Sequence, residues 1–525
     1  MRGAVVGALA TAVALVPASA AATGFTDIGQ DLEREPEMVV RVHGYLRVRT
    51  EALYNLDLDR GLTPSGQPLF PVPLSDPTAQ TLTHADMRLR GDLACYVPRG
   101  GVAVKVRLDL LDNVALGSAP VGDPQGSSSQ GQPQGGAVTV RRAYGEALTP
   151  FGVLVAGRTG STWGLGMLAN GGDCADCDHG DAADRIAFIT PLLGHLWALA
   201  YDFSAVEALT TRPGGARTVG LDPSTDVRTI TFAVLRWRDD VARERRRRAG
   251  RITVDYGAYV SYRWQGNDIP ATYAAIVGSS SLSPSQVMHR GYEAAAIDGW
   301  LRVTAPRFRL EWEGAVILGR VEQASLLPGA LFRQPIKSRQ LGTALESEVG
   351  RPEGRLGAGL DLGFASGDPA PGFGVFPRAG QAAPKGGDLD GAQAAPPRDH
   401  RIDNFRFHPD YRIDRILFRE IIGAVTDAFY VRPHARWRIA RVGPGTLTAA
   451  VALVASFAMY AASTPGGKQP LGLEIDPTIV YAAKDGFQAA LEYAVLFPFA
   501  GLDNPTAGLA AKPAQLVRLR LAYVF

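Results

Sequence analysis

Cysteine is nearly missing from this chain of 525 residues: there are three. That excludes a disulfide-stapled scaffold and leaves at most one bridge and one free thiol. Histidine is scarce as well, at eight residues. His43 and His84 have Glu51 and Asp86 near them in sequence, and His408 has Asp410, but no nucleophile–base–orienter set emerges. No enzyme is expected. Charge of one sign is lacking too: 54 Lys and Arg face 52 Asp and Glu, a net of +2. Nothing in that balance points to nucleic acid. Long apolar runs are confined to the N-terminus. The nearest other, 447–462, contains Thr448 and Ser456 and lacks a flanking basic cluster. It reads as a strand with small residues on one face, so a bundle of membrane helices is excluded.

Two-residue alternation is what the chain has instead. Val517, Leu519, Leu521, Tyr523 and Phe525 are apolar and fall two apart, with Arg518 and Arg520 between them. Strand side chains alternate faces, so one face is oily and the other charged. About ten residues is the length a tilted strand needs to cross a bilayer. Ending on Tyr523-x-Phe525 resembles the C-terminal signal read by the barrel-assembly machinery, with Arg520 where Gly is frequent. At the other end, Arg2, an apolar run over 4–16 and the small-residue site Ala18-Ser19-Ala20 read as a signal peptide, residues 1–20. Residues 21–38 then read as a periplasmic lead-in. The remainder, 39–525, reads as one all-β domain.

The same alternation recurs over 40–54, 83–96, 102–110, 252–263, 308–316 and 356–364. Connections alternate short and long, as in a transmembrane antiparallel up-and-down β-barrel with short periplasmic turns and long outer loops. The count is 18 strands, or 16 if segments are misassigned. Backbone groups in hydrocarbon must pair within the protein, so the sheet must close. A barrel of this size encloses water. Location in the outer membrane of a Gram-negative bacterium, in contact with its lipid, follows from this reading. The function expected is a porin-like channel for passive diffusion of small polar or charged solutes; the alternative is a plugged, non-conducting barrel for binding or assembly. Outward Trp and Tyr suit headgroup belts or an interface between copies equally well.

On the inward faces, Arg41, Arg47, Arg49, Arg88, Arg90, Lys105 and Arg107 crowd the first three strands, with Arg518 and Arg520 on the last. Arg228 and Arg236 are also counted inward. Glu311, Glu313, Glu346 and Glu348 crowd the middle. Either these form opposed charge walls that set ion preference, or they pair across strands. Two loop features stand apart. The segment 239–250 carries the run Arg243 to Arg248 and reads as a solvated helical cap on the periplasmic side. Segment 367–404 is rich in Gly, Pro and Ala and expected to be mobile. Within the same loop, 411–422 has Ile413, Ile416, Leu417 and Ile421 at helical spacing.

The densest chemistry lies at 158–185, with Asp173, Asp176, Asp178 and Asp181, His179, and the pair Cys174 and Cys177. A local disulfide is the leading reading in an oxidising compartment. Such dense carboxylates are solvated, paired or bound to a cation, and a Ca²⁺ within 173–181 is one reading; no cofactor is required. By position this is the third outer loop, the one that folds inward in many porins. WGLGMLANGGDCADCD (163–178) and FRFHPDYR (405–412) together resemble a myxobacterial family of porin-like outer-membrane β-barrel proteins of uncharacterised function. That resemblance implies location and fold, and no substrate or catalytic residue.

Overall fold

The computed structural model describes residues 24–26, 28, 29, 32, 38–75, 80–117, 138–206, 209–211, 215, 217–220, 222–269, 287–325, 331–377 and 382–525. The expected signal peptide lies outside these residues. Twenty strands are present among the described residues. Eighteen belong to one sheet, and β8 (Leu209–Thr211) and β9 (Thr218–Gly220) form a separate small hairpin. Every pairing in the large sheet is antiparallel. The last strand, β20 (Ala514–Val524), pairs with the first, β1 (Val39–Tyr54). The sheet is therefore closed, the expected 18-stranded barrel.

Closure satisfies the backbone, and alternation sorts the side chains. On β20 Val517, Leu519 and Tyr523 are exposed outward, whereas Arg518 is fully buried inside. On β1 Arg47 and Arg49 face inward and are buried. The 447–462 segment supplies β17 (Gly445–Ala458). Two inward assignments reverse. Thr229 and Thr231 of β10 (Val227–Arg236) are buried while Ile230 and Phe232 are exposed, so Arg228 and Arg236 share the outward parity. Ile230, Phe232 and Val234 are apolar and share the parity of Arg228 and Arg236, so it is the lipid-facing set, with both arginines at its ends, and the smaller Thr229, Thr231 and Ala233 that face the lumen.

Short turns gather at one end, together with the expected helical cap, α1 (Asp240–Arg248). Asp239 caps it by accepting from the Ala242 N–H. Arg247 ties it to Glu353 in a neighbouring turn at 2.6 Å. The described residues of the lead-in do not hang below the barrel. Phe25, Ile28 and Leu32 are buried. Phe25 and Ile28 pack on inward small residues such as Ala187, Ala198, Ala200 and Ala233, and Leu32 packs with Tyr96 and Ala103. Gly24 donates to the Thr162 carbonyl at 2.6 Å.

The largest apolar cluster is inside the cylinder. Phe373, Val375, Phe405, Phe407, Ile413, Ile416, Leu417, Phe418, Ile421 and Ile422 come from the longest loop, 366–427. They pack on inward Ala315, Ala344, Ala365, Ala428, Ala458 and Ala494. A Cβ at Gly342 would stand 2.2 Å from the Phe405 ring, so that strand position has room only for glycine. The segment expected to be mobile, 367–404, instead has Phe373 and Val375 as buried anchors. The span expected to be helical, 411–422, holds one turn of π-helix, Leu417–Ile422. Its apolar residues satisfy the barrel wall rather than a helix face.

Candidate functional site

Two loops enter the lumen and meet each other. They are 161–181 and 366–427, and the two motif segments lie in them. The Asp410 carboxylate accepts from the backbone N–H of Asp178 at 2.9 Å and of His179 at 3.0 Å. The His408 N–H donates to the Met167 carbonyl at 2.7 Å. Wall carboxylates hold both loops by their backbones. Glu474 of β18 (Pro470–Ala483) accepts from the N–H groups of Arg415 and Ile416 at 2.8 Å and Leu417 at 3.0 Å. Glu313 of β13 (Phe308–Val321) accepts likewise from Leu165, Met167 and Leu168.

The acidic Cys loop carries the Cys174–Cys177 disulfide. Its aspartates meet arginines. Asp176 lies 2.6 Å from Arg419, 3.2 Å from Arg412 and 3.4 Å from Arg49. Asp178 lies 2.7 Å from Arg412, 3.0 Å from Arg49 and 3.3 Å from Arg47. Asp173 pairs with Arg107 and, at 2.8 Å, with Arg142. Asp181 is 3.6 Å from His408. Burial alone would raise the Asp178 carboxyl, but Arg412, Arg49 and Arg419 outweigh it and hold it well below the usual carboxylate range. Asp176 is held low in the same way by Arg419 and Arg412. A Ca²⁺ ion would have to displace these guanidinium groups. Among the described residues no cluster of three or more His, Cys, Asp or Glu has metal-holding geometry.

The basic residues of the first strands are likewise paired. Arg47 and Arg49 share Asp86, at 3.0 and 2.8 Å. Arg88 pairs with Asp112 at 2.7 Å and donates to the Cys177 carbonyl. Arg90 pairs with Asp109 at 2.6 Å, Arg107 with Asp92 at 2.6 Å and Lys105 with Glu146 at 3.1 Å. Arg41 stacks over Tyr96, 5.0 Å from its centroid. On the other side Glu311 meets Arg302 at 2.7 Å, Glu346 meets Arg309 at 3.4 Å, and Glu348 meets Arg436 at 2.7 Å. The two walls do not face each other across open water, because the loops stand between them. At the closing seam the Phe525 N–H donates to the Gly44 carbonyl and the Gly44 N–H donates to the Phe525 carbonyl, both at 3.0 Å, while Tyr523 is exposed outward.

Open space lies on one side. A cavity of ≈ 1610 Å³ lies against β3 (Val102–Ala115) through β7 (His195–Ala205) and β10 through β12 (Met288–Ala305), reaching Ile317 of β13, Gln340 of β14 (Ile336–Gly350) and Val375 and Phe407 of the longest loop. Eight arginines line it: Arg90, Arg107, Arg141, Arg142, Arg158, Arg185, Arg263 and Arg406. The aspartates lining it are Asp178, Asp181, Asp184 and Asp202. Arg158 pairs with Asp184 at 2.7 Å, Arg185 with Asp202 at 2.8 Å, and Arg141 with Asp109 at 2.9 Å. Six of the eight thus have a carboxylate partner. Arg263 and Arg406 are the two with none at ion-pair distance among the described residues, and both are exposed. Gly24 and Phe25 also line this cavity. Neither Arg263 nor Arg406 stands out in the sequence as a site residue. Nor do Arg412 and Arg419, although the surplus of bases in 405–419 against the surplus of acids in 173–184 hinted at the pairing.

No protein-family model and no curated protein matches the chain, so the myxobacterial resemblance rests on its two motifs. Solved structures with a similar course are outer-membrane barrels. OpdK of Pseudomonas aeruginosa, crystallised with vanillate, superposes at TM-score 0.45 with 10% identity over 92% of this chain and 98% of its own. OccAB2 of Acinetobacter baumannii gives 0.46 and 8% over the same shares. The channel DcaP of that organism gives 0.38 and 12%, covering 93% and 97%.

Proposed function

We propose that this barrel sits in the outer membrane of a Gram-negative bacterium and passes small polar solutes through the open side of its lumen, favouring anions. No catalysis is part of this reading. The observation that carries it is the ≈ 1610 Å³ cavity, lined by eight arginines against four aspartates. Low-dielectric walls focus such a charge imbalance onto whatever enters. Because six of the arginines are paired, the preference is modest and rests on Arg263 and Arg406. The outward apolar residues supply the lipid-facing band.

A second reading has its own support. The apolar cluster of loop 366–427 fills the other side, and Phe25 of the lead-in lies against the cavity. A barrel closed in this way binds without conducting. Planar-bilayer recording separates the two: stable single-channel steps in KCl with reversal potentials shifted towards anion permeability are expected. A purified, heat-modifiable barrel that never conducts would overturn the diffusion reading in favour of the closed one.

A further inference from the structure

One wall of the cavity is graded along the strands. Thr229 of β10 stands opposite Arg263 of β11 (Thr253–Asp268), Thr231 opposite Ser261, Ala233 opposite Tyr259, and Leu235 opposite Gly257. Polarity therefore rises step by step, from an apolar floor to a guanidinium. The Arg263 Nε–H donates to the Thr229 hydroxyl at 3.0 Å, which fixes the planar group by one edge. Its two terminal nitrogens make no hydrogen bond among the described residues and face the cavity. Thr229 is braced in turn by the Ser204 hydroxyl at 2.7 Å.

Below Arg263 the hydroxyls of Thr231 and Ser261 also make no hydrogen bond among the described residues. Two residues along a strand is about 7 Å, so this pair of hydroxyls lies roughly that far from the guanidinium. On the next strand the register places Ala294 against Arg263 and Ala296 against Ser261. Both alanines line the cavity, and their short side chains leave the shelf open. A guanidinium fork with two free donors matches a carboxylate or phosphate edge. A row of unused hydroxyls one short step away matches the hydroxyls of the same small molecule.

We propose that this shelf is a binding site for a small anionic sugar, whose carboxylate or phosphate is held by Arg263 and whose hydroxyls meet Thr231 and Ser261. This deepens the anion-favouring channel reading and rests on it: the site is where a permeating sugar acid would pause. Calorimetry on the full chain in detergent tests it, with D-glucuronate, glucose 6-phosphate, glucose and acetate as probes. Glucuronate or glucose 6-phosphate should bind at least tenfold more tightly than glucose and than acetate. Whichever of the two is tighter identifies the anionic group. Arg263→Gln should weaken that probe at least tenfold. Arg263→Lys, which keeps the charge and loses the fork, should weaken it by a smaller factor and covers the case in which Gln impairs folding. Thr231→Val with Ser261→Ala should weaken the sugar probe and leave acetate unchanged. Arg245→Gln, on α1 and away from the cavity, removes one charge without touching the shelf and should change nothing. The proposal fails if glucose binds as well as glucuronate and glucose 6-phosphate, if acetate does, if Arg263→Gln binds like the parent, or if Arg245→Gln loses as much as Arg263→Gln. KCl conductance is read on the same preparations. Conductance without sugar-acid binding overturns the site alone; binding without conductance overturns the diffusion reading and leaves the site standing.

Discussion

The two sides of the lumen are built from the same alternating strands and end up opposite in character. Along β13 to β20 and β1 the inward positions include alanines, a glycine, carboxylates and arginines such as Arg47, Arg49 and Arg518, and loop 366–427 fills the space with phenylalanine, leucine and isoleucine. Along β3 to β12 the positions that line the cavity include threonines, serines and arginines, and the space beside them stays open. The difference is set by what each wall offers a loop backbone. An apolar loop can bury itself only if its N–H groups find acceptors. Glu474 and Glu313 provide three acceptor contacts each. The β10–β11 wall offers hydroxyls and a guanidinium in their place. Charge follows the same division. On the filled side arginines are stitched to loop aspartates; on the open side two remain for a solute.

The comparison breaks most easily at Glu474. Glu474→Ala removes the acceptor from three buried N–H groups, each costing about 1–3 kcal/mol when left unsatisfied. The loop at 415–417 should detach, lowering the temperature at which the barrel loses its heat-modifiable mobility and enlarging single-channel steps. Glu474→Gln keeps one acceptor oxygen and should show a fraction of both effects. Unchanged steps in the alanine variant would mean that this carboxylate does not hold the filled side shut.

Arginines sharpen the division next. Arg47→Gln leaves Asp86 and Asp178 short of a partner inside the packed region, where breaking a buried pair costs about 3–5 kcal/mol. Stability should fall while the reversal potential stays put. Arg263→Gln combined with Arg406→Gln should do the reverse, shifting the reversal potential towards cations with little loss of stability. If Arg47→Gln changes selectivity without destabilising, the filled side is not filled.

The barrel itself was legible because periodicity is local: Val517 to Phe525 states both faces of β20 without reference to any other strand. Closure followed from the need to pair every backbone group, and strand number from counting the alternating segments and their connections. The course of the loops was not legible in the same way. Asp176 and Arg419 are 243 positions apart, and no local pattern joins them. The apolar spacing of 411–422 is compatible with a helix, yet Asp414 takes the N–H groups of Phe418 and Arg419 and the chain turns instead into the wall. Inward charges were readable as inward except at Arg228 and Arg236. That they would pair along and between strands, not oppose each other across water, depended on where the loops went. Arg263 was visible as an inward residue of its strand, but its lack of a carboxylate partner exists only in three dimensions.

Acid tests the stitched side more gently. Arg412, Arg49 and Arg419 depress the Asp178 carboxyl, and Arg419 and Arg412 depress Asp176. A carboxyl whose folded value lies below its unfolded value of about 4 contributes stability that is present above that value and lost as pH falls through the folded one. These pairs should hold the loops from pH 8 down to 5, and single-channel step size should be flat across that window. A step that grows between pH 6 and 5 would show that some other titrating group holds the filled side.

The disulfide should matter least. It links residues three apart, and by chain entropy a ring that small stabilises by about 2 kcal/mol. Its neighbours are fixed by other means: Arg88 holds the Cys177 carbonyl, Arg47 reaches the Ala175 carbonyl at 3.1 Å, and Asp410 accepts from Asp178 and His179. Cys174→Ser with Cys177→Ser should therefore cost at most that amount in stability and leave both conductance and reversal potential unchanged. If the double serine variant instead opens the lumen, the covalent ring, and not the arginine–aspartate stitching, is what keeps the third loop folded inward.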